Sequence, residues 1–134
     1  MATRGVLDTS TVIDLGCVDP GSLPDESFIT AITLAELSVG PLLATTDSER
    51  AARQSHLQQA EADFEVLPFD AAAARAFGRV ASSLCAAGRK PAARAYDALI
   101  AATALSLQWP VYTANPDNFG GIPGLTVQAV RRTS

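Results

Sequence analysis

One apolar segment constrains the fold of this chain more than any other. Residues 96–105 are apolar on almost every side, which predicts a helix buried over most of its surface. The segment carries one charge, Asp97, near its N-terminal end. A carboxylate in such a helix is unfavourable unless a partner pairs with it or a cation binds it. Asp97 could also simply satisfy helix N–H groups and the helix dipole.

Short apolar runs alternate with helical segments along the whole chain. Strands are predicted at 4–7, 27–30, 65–68, 111–113 and, as an edge strand, 125–128. Helices are predicted at 12–15, 33–43, 46–62, 71–87 and 96–108. This alternation predicts an α/β fold with a mainly parallel central sheet flanked by helices. The 134 residues suit a single domain, 1–134, with a buried core.

Composition and charge argue against several classes of protein. A net charge of −4 makes the chain a poor non-specific nucleic-acid binder. Cys17 and Cys85 lie far apart in sequence, and each is most simply a small buried apolar residue. With a single histidine, His56, a structural zinc site is not expected. No apolar run is long enough to span a bilayer, so we expect a cytoplasmic protein with no membrane partner.

Four acidic residues are expected at one edge of the sheet. Asp8 and Asp117 follow predicted strands, and the carboxyl ends of parallel strands share an edge. Glu36 and Asp97 lie in predicted first turns of helices and would join them if those helices start near that edge. Glu36 and Asp117 also have simpler interpretations. Glu36 fits a capping box, and Asp117 fits an ordinary turn after Pro116.

Clustered carboxylates indicate a particular chemistry. Like charges repel unless some take up protons or a cation binds among them. Oxygen ligands without a cysteine or histidine cluster favour Mg²⁺, with Mn²⁺ as an alternative. Such an ion supports hydrolysis of a phosphodiester. The sequence shows no serine–histidine pair and no glycine-rich phosphate loop that would indicate another mechanism.

Four short motifs resemble those of PIN-domain ribonucleases, specifically the VapC-type toxins of bacterial toxin–antitoxin pairs. The motifs are Leu7-Asp8-Thr9-Ser10, Ile32-Thr33-Leu34-Ala35-Glu36-Leu37-Ser38-Val39-Gly40, Tyr96-Asp97-Ala98-Leu99-Ile100-Ala101-Ala102-Thr103-Ala104 and Tyr112-Thr113-Ala114-Asn115-Pro116-Asp117-Asn118-Phe119. Each is short, but their order and spacing together are specific and extend over essentially all of the chain. The resemblance implies a PIN-like three-layer domain and a metal site of three or four acids.

The resemblance assigns roles to individual residues. Asp8 and Asp97 would hold the principal ion, while Glu36 and Asp117 would complete its coordination or orient the attacking water. Ser10 stands where the family often has a hydroxyl within the site. Many relatives end the last motif in Asp-Phe, whereas here an asparagine precedes the phenylalanine. Either Asp117 supplies the fourth acid, or that position is weakened, with Asn115 or Asn118 as neutral oxygen ligands.

The function implied is that of a Mg²⁺-dependent endoribonuclease toxin that inhibits translation. Its substrate would be a structured RNA with an exposed loop, tRNA in preference to rRNA. Its partners would be a VapB-type antitoxin, whose tail covers the acidic cleft, and a second copy in a homodimer. Two alternatives stay open: a broad single-strand or DNA nuclease, and a PIN-like module that binds a partner protein or RNA with little catalysis.

Several further residues have two interpretations each. Five basic residues before or beside the Asp97 helix could form an RNA-facing rim or simply a solvated surface: Arg75, Arg79, Arg89, Lys90 and Arg94. Tyr96 and Phe119 could stack on a base, but core packing is the preferred interpretation of both. Trp109 is expected to be structural, and Arg131-Arg132 a frayed tail.

Overall fold

A parallel five-stranded sheet forms the centre of the computed structural model, which describes residues 2–89 and 94–133. Its strands are β1 (Arg4–Leu7), β2 (Glu26–Thr30), β3 (Glu65–Leu67), β4 (Val111–Thr113) and β5 (Val127–Ala129). They lie in the order β3-β2-β1-β4-β5, and every neighbouring pair is parallel. The predicted parallel sheet is confirmed, and the last strand lies at an edge as expected.

Helices cover both faces of this sheet. They are α1 (Thr9–Ile13), α2 (Ala31–Val39), α3 (Asp47–Asp63), α4 (Ala71–Ala86) and α5 (Ala95–Leu107). Successive strand residues point to opposite faces: Val6 joins a core shared with α4 and α5, and Leu7 a core shared with α1, α2 and α3. The architecture therefore has the three layers that were predicted. Among the described residues, no helix is both long and apolar enough to cross a membrane.

Helix α5 is buried as its apolar sequence predicts. Ala98 and the run Ile100–Ala104 are inaccessible to solvent. Phe119 lies in the same core, as expected, and Trp109 packs against Phe28 with ring centroids 4.7 Å apart. The expectation of core packing is wrong for Tyr96, which is 61% exposed. Tyr96 occupies the first turn of α5, before the helix becomes enclosed.

Two helices begin earlier than their sequence patterns suggest. Helix α1 begins at Thr9, with the Asp8 carboxylate accepting a hydrogen bond from the Thr11 N–H, so the predicted start at residue 12 is wrong. Helix α2 is capped by Thr30, whose hydroxyl accepts from the Thr33 N–H. Glu36 therefore lies in the second turn of α2 and not at a capping position. The capping-box interpretation of Glu36 is wrong, because the buried end of β2 runs directly into the helix.

Both cysteines are exposed, so the prediction that each is buried is wrong. Cys17 lies in a short 3₁₀ turn after α1. Cys85 follows the buried Leu84 on α4 and falls on the outer face of that helix. An amphipathic helix places adjacent residues about 100° apart, so a neighbour of a core residue readily faces solvent.

The C-terminal segment is fastened to the loop that follows α1. Val18 and Arg132 form an antiparallel bridge, and the Asp19 N–H donates to the Arg131 carbonyl over 2.7 Å. The Arg131 guanidinium pairs with Asp19, and that of Arg132 pairs with Asp14. Val130 is buried beneath them. The expectation of a frayed tail at Arg131-Arg132 is therefore wrong.

Replacing Val130 by alanine should destabilise the protein by about 2 kcal/mol, because two buried methyl groups are lost and a cavity remains. Urea denaturation followed by circular dichroism measures this change. Arg131→Ala and Arg132→Ala should have smaller effects, since exposed ion pairs contribute little. A Val130→Ala variant as stable as the wild type would show that this segment is frayed in solution.

Candidate active site

Three carboxylates lie at the carboxyl edge of the sheet and influence one another. Asp8 follows β1, Glu36 lies on α2 and Asp97 in the first turn of α5. The charges of Asp8 and Glu36 both act on Asp97, and the charge of Asp8 acts on Glu36. The structure thus brings together three of the four predicted acids.

Asp8 is the most constrained of these carboxylates. It is only 2% exposed, and the Thr11 N–H and hydroxyl both donate to its Oδ1. The Ser10 hydroxyl donates to Oδ2 over 3.1 Å, and that of Thr113 over 2.8 Å. Asp8 is therefore fixed in orientation by residues of α1 and by the end of β4.

Glu36 is half-buried and held by one threonine. The Thr9 hydroxyl donates to its Oε1 over 2.7 Å, and the Thr9 and Thr33 hydroxyl oxygens are 3.0 Å apart. Burial raises the pKa of Glu36 above its usual range, and the nearby charge of Asp8 adds to this. The Thr9 hydrogen bond acts in the opposite direction, because it favours the charged form.

Asp97 has the most perturbed acidity of the three. Burial, followed by the charges of Asp8 and Glu36, raises the pKa of Asp97 to about 6, while Arg94 partly opposes the shift. A carboxyl group in this range changes protonation close to neutral pH. Perturbed carboxyl groups that share one cleft are characteristic of functional sites.

The structure separates the residues predicted around the fourth acid. Asp117 is exposed in a 3₁₀ turn and is not among the charges that shift the pKa of Asp97. The Asn115 side-chain amide donates to the Ser10 hydroxyl over 3.2 Å, which joins both residues to the surroundings of Asp8. The Asn118 side-chain oxygen instead accepts a hydrogen bond from Arg94. The role of Asp117 stays a prediction.

The predicted basic rim is only partly assembled near the carboxylates. Arg94 reaches Asn118, and Arg89 donates to the Gly120 carbonyl over 3.1 Å, both in the loop that follows β4. Arg79 instead lies beside Trp109, which precedes β4 at the opposite edge of the sheet. Arg75 is exposed on α4. Lys90 lies outside the described residues.

Sequence reasoning missed the threonines that hold the acids. Thr9, Thr11, Thr33 and Thr113 are all buried, and all four hydroxyls take part in the hydrogen bonds around Asp8 and Glu36. One signal was available for Thr113. A polar residue at the end of an apolar parallel strand needs a buried partner and lies at the edge where sites form.

An apolar groove adjoins the carboxylates. It has a volume of about 300 Å³ and is lined by Ile32, Ala35, Val39 and Tyr96, with Glu36 at its side. Val39 and Tyr96 are both exposed to solvent. This groove lies between α2 and the start of α5, where an apolar segment could pack next to an acidic site.

The donor set fits a hard divalent cation by its chemistry. Carboxylate oxygens are ligands that Mg²⁺ and Mn²⁺ prefer. Burial is the main cause of the raised pKa values of Glu36 and Asp97, and the charges of neighbouring carboxylates add a repulsion that a cation would relieve. Within residues 2–89 and 94–133, however, no three acidic, histidine or cysteine side chains are already grouped closely enough to share an ion.

Asp97→Asn should stabilise the protein at pH 8 and have little effect near pH 4. The raised pKa of Asp97 makes the folded state bind a proton more tightly than the unfolded state, so wild-type stability falls between about pH 4 and pH 7. The variant has no such charge and should gain about 1 kcal/mol at pH 8, a figure reduced for partial solvent screening. Urea denaturation of both proteins in EDTA checks this. A variant less stable than the wild type at pH 8 would contradict it.

Comparison with known proteins identifies the family of the chain. The sequence model of the family described as PIN domain matches residues 6–124. The chain is 40% identical over 131 residues to Ribonuclease VapC5 of Mycobacterium tuberculosis (strain ATCC 25618 / H37Rv), covering 95% of this chain and 94% of that protein. It is 28% identical over 129 residues to Ribonuclease VapC of Rickettsia bellii (strain RML369-C), covering 93% and 95%.

A solved structure shares the fold as well. The crystal structure of VapBC-5, a member of the VapBC family of toxin-antitoxin systems from Mycobacterium tuberculosis, contains a chain that superposes with a TM-score of 0.83. The two chains are 38% identical, and the match covers 95% of this chain and 98% of the other. With its parallel sheet and its three interacting carboxylates, this chain belongs to the PIN domain family and, within it, to the VapC type.

Proposed function

We propose that this protein is a metal-dependent endoribonuclease and the toxin of a type II toxin–antitoxin pair. The observation that carries the proposal is the cluster formed by Asp8, Glu36 and Asp97, whose charges interact at the carboxyl edge of the sheet. The ribonuclease names of the VapC relatives support the same assignment. The reaction would be hydrolysis of an RNA phosphodiester bond.

The residues of this chain have distinct parts in that reaction. Asp8 and Asp97 would hold Mg²⁺ or Mn²⁺, which when bound polarises the phosphate and lowers the pKa of a bound water. Glu36 accepts a hydrogen bond from Thr9, which leaves its other oxygen to complete the coordination of the ion or to orient the attacking water. Asp117, which is exposed in the turn after β4, would complete the coordination.

Two arginines offer the local positive charge that the acidic chain otherwise lacks. Arg89 and Arg94 both donate hydrogen bonds to the loop that follows β4, and they would neutralise backbone phosphates of a bound RNA strand. The substrate we propose is a structured RNA with an exposed loop, tRNA in preference to rRNA, whose cleavage inhibits translation. The family resemblance, and not the geometry, carries this choice of RNA.

A VapB-type antitoxin is the proposed protein partner. The similar chain from Mycobacterium tuberculosis belongs to a VapBC complex. In this chain the apolar groove beside Glu36 would receive apolar side chains of the antitoxin tail, and a basic residue of the tail would pair with the carboxylates. Association of the toxin into a homodimer stays a prediction.

One observation keeps a second function under consideration. Asp117 is exposed and is not among the charges that shift the pKa of Asp97, and the described residues contain no ready group of three ligands. A PIN-like module that binds RNA or a partner protein with little catalysis would have this arrangement. A broad single-strand nuclease is the other alternative, and the specificity of cleavage distinguishes it from the toxin.

Purified protein, freed of antitoxin, should cut total cellular RNA into a few discrete fragments in Mg²⁺ and should not cut it in EDTA. Asp97→Asn should lower the rate by at least about 100-fold, because it removes a charge at the reacting centre. Sequencing the fragment ends identifies the RNA and the cleavage position.

Asp63→Asn is the matched control, since Asp63 is an exposed carboxylate at the end of α3 whose hydrogen bond from Gln59 an amide oxygen can still accept. It should cleave at the wild-type rate. Absence of cleavage by folded wild-type protein with any divalent ion would overturn the enzyme assignment in favour of the binding module. Many unspecific products would favour the broad nuclease.

Val39→Asp should weaken binding of the antitoxin by at least about tenfold, because it puts a charge into the apolar groove. Titration calorimetry with the cognate antitoxin measures the effect. Leu107→Asp is the control, since Leu107 is similarly exposed but lies at the opposite end of α5 from Asp97. Equal affinity of Val39→Asp and wild type would place the antitoxin elsewhere.

A further inference from the structure

Two buried threonines connect the turn after β1 to the helix that carries Glu36. Thr9 follows Asp8 directly and begins α1, while Thr33 precedes Glu36 by one helical turn on α2. Residues three apart share a helix face, so Thr33 and Glu36 both face α1. The Thr9 hydroxyl lies within hydrogen-bond distance of both, at 3.0 Å from the Thr33 oxygen and 2.7 Å from Glu36 Oε1.

The number of hydrogens gives this contact a direction. A threonine hydroxyl has one hydrogen to donate and two lone pairs. Because the hydrogen of Thr9 goes to Glu36, Thr33 must donate to Thr9, and the hydrogen bonds run from Thr33 through Thr9 to the carboxylate. Both threonines are buried, and among the described residues no buried side-chain polar atom lacks a partner.

This chain of hydroxyls restricts a side chain that is otherwise mobile. Glutamate has three rotatable side-chain bonds, whereas threonine is stiff at χ1 because it is branched at Cβ. Thr9 is also adjacent to Asp8, whose carboxylate is fixed by four hydrogen bonds. A bond between Thr9 and Glu36, which are 27 residues apart in sequence, therefore sets the position of the Glu36 carboxylate relative to that of Asp8.

We propose that Thr9, supported by Thr33, is a positioning residue that holds the Glu36 carboxylate beside Asp8. The inference rests on the proposed function for its consequence in catalysis, but the contact itself does not depend on it. Thr9 does not touch the scissile phosphate in this proposal. It acts through Glu36, in the way that hydrogen-bonded neighbours orient the ligands of a metal ion.

Thr9→Val tests the hydroxyl at nearly constant shape. It should lower the affinity for Mn²⁺, measured by electron paramagnetic resonance with the metal ion alone, by about tenfold. Thr9→Ser keeps the hydroxyl and should remain within about twofold of the wild type. Thr103→Val is the matched control, because Thr103 is a buried threonine whose hydroxyl donates to the Leu99 carbonyl within α5. It should also remain within about twofold.

Unchanged Mn²⁺ affinity in Thr9→Val would overturn the proposal, as would an equal loss in Thr9→Ser or Thr103→Val. Each of those results would mean that the hydroxyl of Thr9 has no specific effect on Glu36.

A second measurement tests the contact without metal or RNA. In EDTA, Thr9→Val should lower the urea midpoint more in the wild-type background than in a Glu36→Ala background. Only the wild-type background contains the hydrogen bond from Thr9 to Glu36 that the substitution removes. Equal shifts would overturn the proposal whatever the enzyme does. Coupled shifts in a protein that binds no Mn²⁺ or cuts no RNA would support the positioning role and reject the proposed function.

Discussion

The hydrogen bonds that converge on Asp8 join the central strand β1 to its neighbour β4 and to α1 at the carboxyl edge of the sheet. Asp8 directly follows β1, and Thr113, whose hydroxyl donates to it, is the last residue of β4, 105 residues later in sequence. The Thr11 hydroxyl also accepts a hydrogen bond from the Ala114 N–H over 3.1 Å, so α1 is bonded to the ends of both β1 and β4. The site therefore exists only when β1 and β4 are paired, and pairing places the ends of these strands together.

The same arrangement places carboxylates close together, and their repulsion costs folding free energy that the rest of the molecule must offset. Burial and mutual repulsion raise the pKa of both Glu36 and Asp97, and Arg94 relieves only part of this at Asp97. Charge repulsion of this kind lowers stability. Burial of α5 against the sheet and of Val6 beneath it supplies the opposing apolar stabilisation.

Some local features were predictable because their signals are local. The predicted bounds of β1 and the predicted start of α4 at residue 71 agree with the structure, since the signals for strands and helix starts extend over only a few residues. The buried character of α5 follows from its composition alone. The start of α1, the cap of α2 and the exposure of Cys17 were not predictable in this way. Each depends on which neighbouring element covers the segment.

The sequence by itself determined the alternation of strands and helices and the position of Asp8 and Asp97 at their ends. Periodic burial and capping depend on residues within a single helix or strand, so they can be predicted from one sequence. Only the tertiary structure decided that Asp117 is exposed and that Thr9 reaches Glu36. These outcomes depend on contacts between elements that are distant in sequence. The packing of helices on the sheet sets the geometry of such contacts, and local sequence patterns contain no information about it.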